Sequence, residues 1–168
     1  EGCGKSYQSK KLHQNLKKKG INSILTREPG GTKGGELIRK LILDDYFKKG
    51  KSNKEKFGKY TDTLLYLAAR NEHIINKIKP SLYKKNIVIC DRFTDSTFAY
   101  QVYGKKVKKK FIDSIHKFIL QGIKPNLTFI LKVSSKSSKK RLKKRKTKNR
   151  YDNFSDNFYR KVQNSFLK

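Results

Sequence analysis

Ile87-Val88-Ile89-Cys90-Asp91-Arg92 is an unbroken, mostly β-branched apolar run that stops on a charged pair. Without polar alternation, such a run suits a strand buried on both faces, as parallel strands are when helices cover the sheet. Ligands of such sheets gather outside the carboxyl ends of the strands, so Asp91-Arg92 should stand at a functional edge.

The segments around this run alternate between helical and extended patterns. Upstream, Ser6 to Lys19 reads as a helix stopped by Gly20, and residues 21 to 26 read as a short strand. A breaker-rich loop, Arg27 to Thr32, precedes a helix through Leu37, Ile38, Leu41 and Ile42, and Lys48 to Lys59 is a polar linker. From Asp62 to Ile78 the apolar residues recur at helical spacing, which predicts the central, best-buried helix. Downstream come a helix through Phe111, Ile112, Ile115, Phe118 and Ile119 to Gly122, and a strand at 127–131. A basic helix from Ser134 to Arg145, a charged loop from Lys146 to Arg150 and a stripe of Phe154, Phe158, Val162 and Phe166 close the chain. Alternation of this kind predicts an α/β fold, a three-layer parallel sheet with helices on both faces. There is no internal repeat, and 168 residues suit a single domain over 1–168.

Composition narrows the partners. A net charge of +30 favours anions such as nucleotides, nucleic acid or phosphate-rich surfaces. The lysines are spread over nearly every segment, which fits a compositional bias better than a dedicated nucleic-acid face, so nucleic-acid binding is expected only as non-specific charge attraction. Two cysteines, Cys3 and Cys90, are too few for a disulfide framework and fit a reducing compartment. No apolar run approaches the roughly 18 residues of a membrane span, so the expected location is cytoplasmic, away from membranes. There is no Met, position 1 included, which leads us to expect a piece of a longer chain.

Glu1-Gly2-Cys3-Gly4-Lys5-Ser6 matches the right-hand part of the phosphate-loop pattern G-x-x-x-x-G-K-[ST], whose first glycine would lie two positions before Glu1. Small residues let backbone N–H groups converge on phosphate oxygens, and the following helix adds the positive end of its dipole. Gly2, Cys3, Gly4, Lys5 and Ser6 are therefore candidates for ATP binding. Lys5 would bridge the outer phosphates, and the Ser6 hydroxyl would help to hold Mg²⁺.

Three further motifs follow in order. They are Thr26-Arg27-Glu28-Pro29-Gly30-Gly31-Thr32, with Arg39 on the next helix; Leu64-Leu65-Tyr66-Leu67-Ala68-Ala69-Arg70; and Asp91-Arg92-Phe93-Thr94-Asp95-Ser96-Thr97-Phe98-Ala99-Tyr100-Gln101. Together with the phosphate loop they resemble bacterial thymidylate kinases, of the P-loop nucleoside-monophosphate kinase class, over essentially the whole chain. The resemblance implies phosphorylation of dTMP to dTDP by the γ-phosphate of ATP, dependent on Mg²⁺. It implies that Glu1, Arg39, Tyr66, Arg70, Arg92, Ser96, Thr97, Tyr100 and Gln101 meet dTMP, with Tyr66 stacking on thymine and Arg70 hydrogen-bonding it. Tyr66 stands where the family more often has Phe. By the same resemblance Asp91 lies beside the metal with Ser6.

Residues 141–153 resemble the family's mobile lid, within which Arg141 would meet ATP. Gly2 occupies the position that carries an arginine in one family type, so Arg145 and Arg150, with Lys5 and Arg92, are the expected catalytic set. The resemblance further implies a homodimer packed through helices, with Leu41, Ile42, Leu64 and Leu65 as candidates. It also implies a first strand ahead of the phosphate loop and adenine contacts beyond Lys168, so the sheet of this piece should be incomplete at both ends, with an inactive fragment as an alternative reading.

Two other readings remain at this stage, another P-loop nucleoside-monophosphate kinase and a basic nucleic-acid-binding module. His13, His73 and His116 lie apart and without partners at metal-ligand spacing, which favours surface or core packing for each.

Overall fold

The structure is a computed structural model and describes residues 2–43, 56–143 and 154–167. Glu1, most of the expected linker and the lid residues 144–153, Arg145 and Arg150 among them, lie outside the described residues.

Helix α1 runs over Lys5–Lys18, after Gly4 adopts the left-handed conformation at φ 94°. No side chain caps it, so the N–H groups of its first turn are open to a ligand at this end. Strand β1 (Ser23–Arg27) pairs in parallel with β2 (Ile87–Asp91), in register from Ser23 opposite Ile87 to Arg27 opposite Asp91. Both strands thus end level with each other. The Glu28 N–H donates to the Asp91 carbonyl at 3.0 Å and carries the pairing one step into the following loop.

Between the strands, α2 (Lys33–Leu43) packs on α3 (Lys59–His73). The long helix continues as a π-helical turn, Ile74–Ile78, and then as α4 (Lys79–Tyr83). Its inner face carries Leu67, Ala69, Ile74 and Ile78, all buried, as its periodicity predicts. After β2 come a short α5 (Thr94–Thr97), a second π-helical turn over Phe98–Gly104, and α6 (Lys109–Leu120). Gln121 and Gly122 then take positive φ values and stop α6. Helices α7 (Ser135–Lys143) and α8 (Asp156–Ser165) complete the described elements.

The core has two centres. One gathers Leu67, Val107 and Ile112, with Phe98 and Ile115 packed against it. In the other, Val162 of α8 meets Ala99 and Tyr100 of the second π-helical turn, with Phe154, Phe158 and Phe166 around them, as the terminal stripe predicts. Gly104 permits this approach, because a Cβ there would meet the Phe158 ring at 2.7 Å.

Two expectations about strands do not hold. Residues 127–131 form no ladder with any described residue, and Leu127 and Phe129 are each 70% exposed. A β-branched and aromatic run makes a strand possible, but a strand exists only through pairing; among the described residues β1 and β2 pair only with each other. Nor is β2 buried on both faces. Ile87 is exposed and the rest of the strand is half-buried, because α1, the main helix packed on the pair, itself buries no residue fully.

Candidate functional site

A cleft of about 540 Å³ opens where both strands end. Its walls hold every described candidate from the sequence except Cys3: Gly2, Gly4, Lys5, Ser6, Arg39, Tyr66, Arg70, Asp91, Arg92, Ser96, Thr97, Tyr100, Gln101 and Arg141. The size suits a small-molecule ligand. Six cationic side chains line it, Lys5, Arg27, Arg39, Arg70, Arg92 and Arg141, against two acids, Glu28 and Asp91. Such a wall attracts polyanions.

Gly2, Gly4, Lys5 and Ser6 of the phosphate-loop motif form part of the wall. Gly2 and Gly4 both have positive φ, 71° and 94°, the backbone form that turns successive N–H groups toward one point. Lys5 Nζ donates to Cys3 Sγ at 3.5 Å, and Arg141 of α7 donates to the Gly2 carbonyl at 3.2 Å. Ser6 Oγ donates to Asp91 Oδ2 at 2.6 Å, while Asp91 Oδ1 is buried with no hydrogen-bond partner among the described residues. A hydroxyl beside an orphaned carboxylate oxygen is a hard-oxygen donor pair that fits Mg²⁺, which binds through few protein oxygens and keeps much of its water.

Arg39 and Arg92 bring guanidinium groups to the same wall. Arg39 of α2 donates to the Pro29 carbonyl at 2.7 Å, and burial, then the neighbouring Arg27, lower its pKa from the usual arginine value. Glu36 holds the loop between β1 and α2 by accepting from the Gly31 N–H at 2.9 Å and from Arg27 at 3.1 Å. Burial raises the Glu36 carboxyl, but these two donors outweigh it and its pKa is lowered. Arg92 sits at φ 75°, a left-handed backbone that costs a non-glycine residue about 1–3 kcal/mol. Its guanidinium stands 5.1 Å from the centre of the Tyr100 ring and within 3.4 Å of both Ser96 Oγ and the Tyr100 hydroxyl.

Tyr66, Arg70, Thr97 and Gln101 line the same cleft. Gln101 is 2% exposed, and its Nε2 has no partner among the described residues. Arg70 is the hub of a buried polar cluster. Its Nε and Nη2 each lie 2.7 Å from Glu28 Oε2, and its Nη1 donates to Thr97 Oγ1 at 2.7 Å and meets His116 Nε2 at 2.8 Å. His73 extends the cluster through Nδ1 to Glu28 Oε1 at 3.0 Å and through Nε2 to Thr26 Oγ1 at 2.6 Å. Burial raises the Glu28 carboxyl, yet Arg70 and His73 together hold it below the ordinary carboxylate range. Burial and then Arg70 lower His116 to about 4, so it is neutral at pH 7.

Glu28, His73 and Cys90 bring three metal-ligating atoms within 4.8 Å of one another. Three observations favour a hydrogen-bonded cluster over a metal centre. Both ring nitrogens of His73 already have partners, and Arg70 sits on the Glu28 carboxylate. Burial, aided by Glu28, pushes the Cys90 thiol well up, whereas a metal takes the thiolate.

Packing is thus the outcome for the histidines, with a qualification. His73 and His116 are core residues, but each gives one ring nitrogen to a cleft residue, His73 Nδ1 to Glu28 and His116 Nε2 to Arg70. Nothing in their sequence spacing shows the Glu28 and Arg70 contacts, except that Arg70 and His73, three apart, share a helix face. His13 bonds Ser23 Oγ at 2.9 Å, outside the cleft.

The Thymidylate kinase family profile matches residues 1–168. A thymidylate kinase of Dehalococcoides mccartyi is 43% identical over 138 residues, 82% of this chain and 63% of that protein. One from Halothermothrix orenii is 41% identical over 131 residues, 78% of this chain and 59% of the relative. The crystal structure of thymidylate kinase from Ehrlichia chaffeensis superposes with a TM-score of 0.75 at 35% identity, covering 99% of this chain and 74% of that one. The matched stretch spans about three fifths of these curated relatives. With the profile running over the whole sequence and the fold shared with a solved member, this chain belongs to the thymidylate kinase family.

Proposed function

We propose that the protein transfers the γ-phosphoryl group of ATP to dTMP, giving dTDP, in a cleft that receives both nucleotides. The observation that carries this reading is a single cationic cleft whose wall brings Gly2, Gly4, Lys5 and Ser6 of the phosphate-loop motif together with Tyr66, Arg70 and Gln101. Lys5 and the open N–H groups at the start of α1 serve the donor phosphates. Arg39 and Arg92 serve the acceptor phosphate, because guanidinium forks match phosphate oxygens. Tyr66 offers a ring for stacking, and Gln101 and Arg70 offer hydrogen bonds to the base. The acceptor is already an anion, so the chain needs no strong base. Its task is alignment and charge neutralisation.

Ser6 and Asp91 would hold Mg²⁺, which when bound neutralises charge on the donor phosphates. Arg141 stands by the donor loop, and the lid arginines Arg145 and Arg150 would add positive charge over the transferring group and exclude water.

We further propose a homodimer formed through α2 and α3, whose Leu37 and Leu64 are 73% and 47% exposed. Ile42 belongs to the core instead, at 0% exposure. Among the described residues no helix is long and apolar enough to cross a membrane. A cytoplasmic location is part of the proposal.

The test is ADP release with each nucleoside monophosphate in turn, alongside thermal unfolding in the same ligands. A midpoint raised selectively by dTMP, with ADP formed only when dTMP and Mg²⁺ are both present, supports the reading. Equal response to several nucleoside monophosphates points to a broader kinase. No response to any, in a folded chain, removes the kinase reading.

A further inference from the structure

We infer that His116 is a positioning residue of the acceptor pocket, accepting a hydrogen bond that fixes the Nη1 edge of Arg70 and so sets the direction in which the guanidinium meets a bound base. The inference rests on the proposed reading of that pocket.

Arg70 is 3% exposed yet lines the cleft, so what it presents to a ligand depends on which of its hydrogens the protein already uses. A guanidinium has five N–H groups and no acceptor. Nε and Nη2 face Glu28 Oε2, and the two hydrogens of Nη1 face Thr97 Oγ1 and His116 Nε2. Four of the five are thereby committed among the described residues, and one Nη2 hydrogen is left to offer a ligand.

The direction of that hydrogen follows from the plane of the group. Glu28 fixes only the Nε and Nη2 edge, and a planar fork held at one edge alone can still rock. His116 and Thr97 hold the opposite edge. They come from different elements, Thr97 from the end of α5 and His116 from α6, whose Ile112 and Ile115 pack into the core cluster that holds Leu67 of α3.

His116 does not line the cleft, so its contact with Arg70 is not a ligand contact lent to the neighbour. Its ring is held in turn by the Phe98 side chain, edge to face at 5.7 Å. Because Arg70 can only donate, Nε2 of His116 must be the bare nitrogen and Nδ1 must carry the proton. Its low pKa, from burial and from Arg70, keeps that form at neutral pH.

The test combines variants with a measurement on the unaltered chain. His116→Leu removes the acceptor, and His116→Gln restores an acceptor near the Nε2 position. Loss of a positioned bond to a charged donor predicts about a 10- to 100-fold rise in KM for dTMP in the Leu variant. Its KM for ATP should not move, its preference for dTMP over deoxycytidine monophosphate should fall, and Gln should recover most of both. A merely structural role would lower activity with every acceptor alike and leave the preference intact.

Two-bond proton–nitrogen correlation on the histidine-labelled wild type reads the tautomer directly, whatever the Leu variant does on folding. A bare Nε2 that shifts when dTMP is added supports the inference, and a protonated Nε2 overturns it. A folded Leu variant with wild-type KM and base preference, beside a wild type that turns over dTMP, overturns the inference alone. A wild type that neither binds nor phosphorylates any nucleoside monophosphate overturns the pocket reading and this inference with it.

Discussion

Ser6 Oγ, in the first turn of α1, donates a 2.6 Å hydrogen bond to Asp91 Oδ2 at the end of β2, across 85 residues of sequence. The bond joins the phosphate loop to the strand edge, and it leaves Asp91 Oδ1 buried and unpartnered among the described residues. A buried carboxylate oxygen without a donor is costly unless a cation or water completes it.

The first prediction concerns that oxygen. Asp91→Asn keeps the shape of the side chain and an acceptor for Ser6, but removes the negative charge. Apparent Mg²⁺ affinity, read from the dependence of ADP release on Mg²⁺ concentration, should weaken by about 10- to 100-fold. Thermal stability without nucleotide should change little or rise, since a desolvated charge is gone. An unchanged Mg²⁺ curve would remove Asp91 from the metal site.

The Glu28 and Arg70 pair, 4% exposed on each side chain, makes the opposite case. Both charges are out of water, and each is tolerated only because of the other and of Thr97, His73 and His116. Glu28→Ala leaves Arg70 buried without its counter-charge. Unfolding in denaturant should show a loss of about 3–5 kcal/mol, the usual cost of breaking one side of a buried pair. Arg70→Met, which removes the opposite charge, should be destabilising for the same reason. Replacing both by apolar residues should recover much of the loss, because no buried charge is then left alone.

This cluster marks where sequence reading stops. Periodicity found the helices, because one apolar face must be buried and 3.6 residues per turn then dictates the spacing. The loop glycines and the Asp91-Arg92 edge were legible because ligand-binding backbone needs residue types that pure packing does not. Expecting a strand at 127–131 failed because pairing is a relation between segments, which a single run does not encode. Glu28, His73 and His116 were missed as functional neighbours for a like reason. Glu28 stands in a motif that assigns it no role, the two histidines are unremarkable in their own windows, and only the fold brings Glu28 and His116 onto Arg70 and His73 onto Glu28. The sequence marks Arg70 itself, through its motif, but not the side chains that hold it still.

Acid should expose the same cluster. The folded value for His116, about 4, lies below its ordinary 6.5. Between these values the unfolded chain binds a proton that the folded chain does not, so stability falls as pH drops from about 6.5 to about 4, with a ceiling of roughly 3 kcal/mol from this residue. Glu28, also lowered, adds a loss of the same sign at lower pH. Thermal midpoints measured from pH 7.5 to 4 should therefore decline in the wild type. In His116→Gln the decline between 6.5 and 4 should be shallower, and an identical slope would assign the acid loss to other groups.

Lys5 separates the proposed donor and acceptor sites most cleanly. It lies on the phosphate loop, 3.5 Å from Cys3 Sγ, and makes no bond to the Arg70 cluster among the described residues. On the proposed reading, Lys5→Met removes a charge aimed at the donor phosphates while leaving the acceptor pocket intact, so the two substrates should part company. Stabilisation of the fold by dTMP should persist, and ADP formation should fall by about two to three orders of magnitude, the scale of losing a preorganised charge at a developing anion. A basic surface that merely attracts anions predicts something else. There, removing one of 43 cationic residues would weaken binding of all nucleotides slightly and alike, with a steep dependence on salt. Isothermal titration of dTMP into the Lys5→Met chain at two salt concentrations, beside its turnover rate, distinguishes the two outcomes.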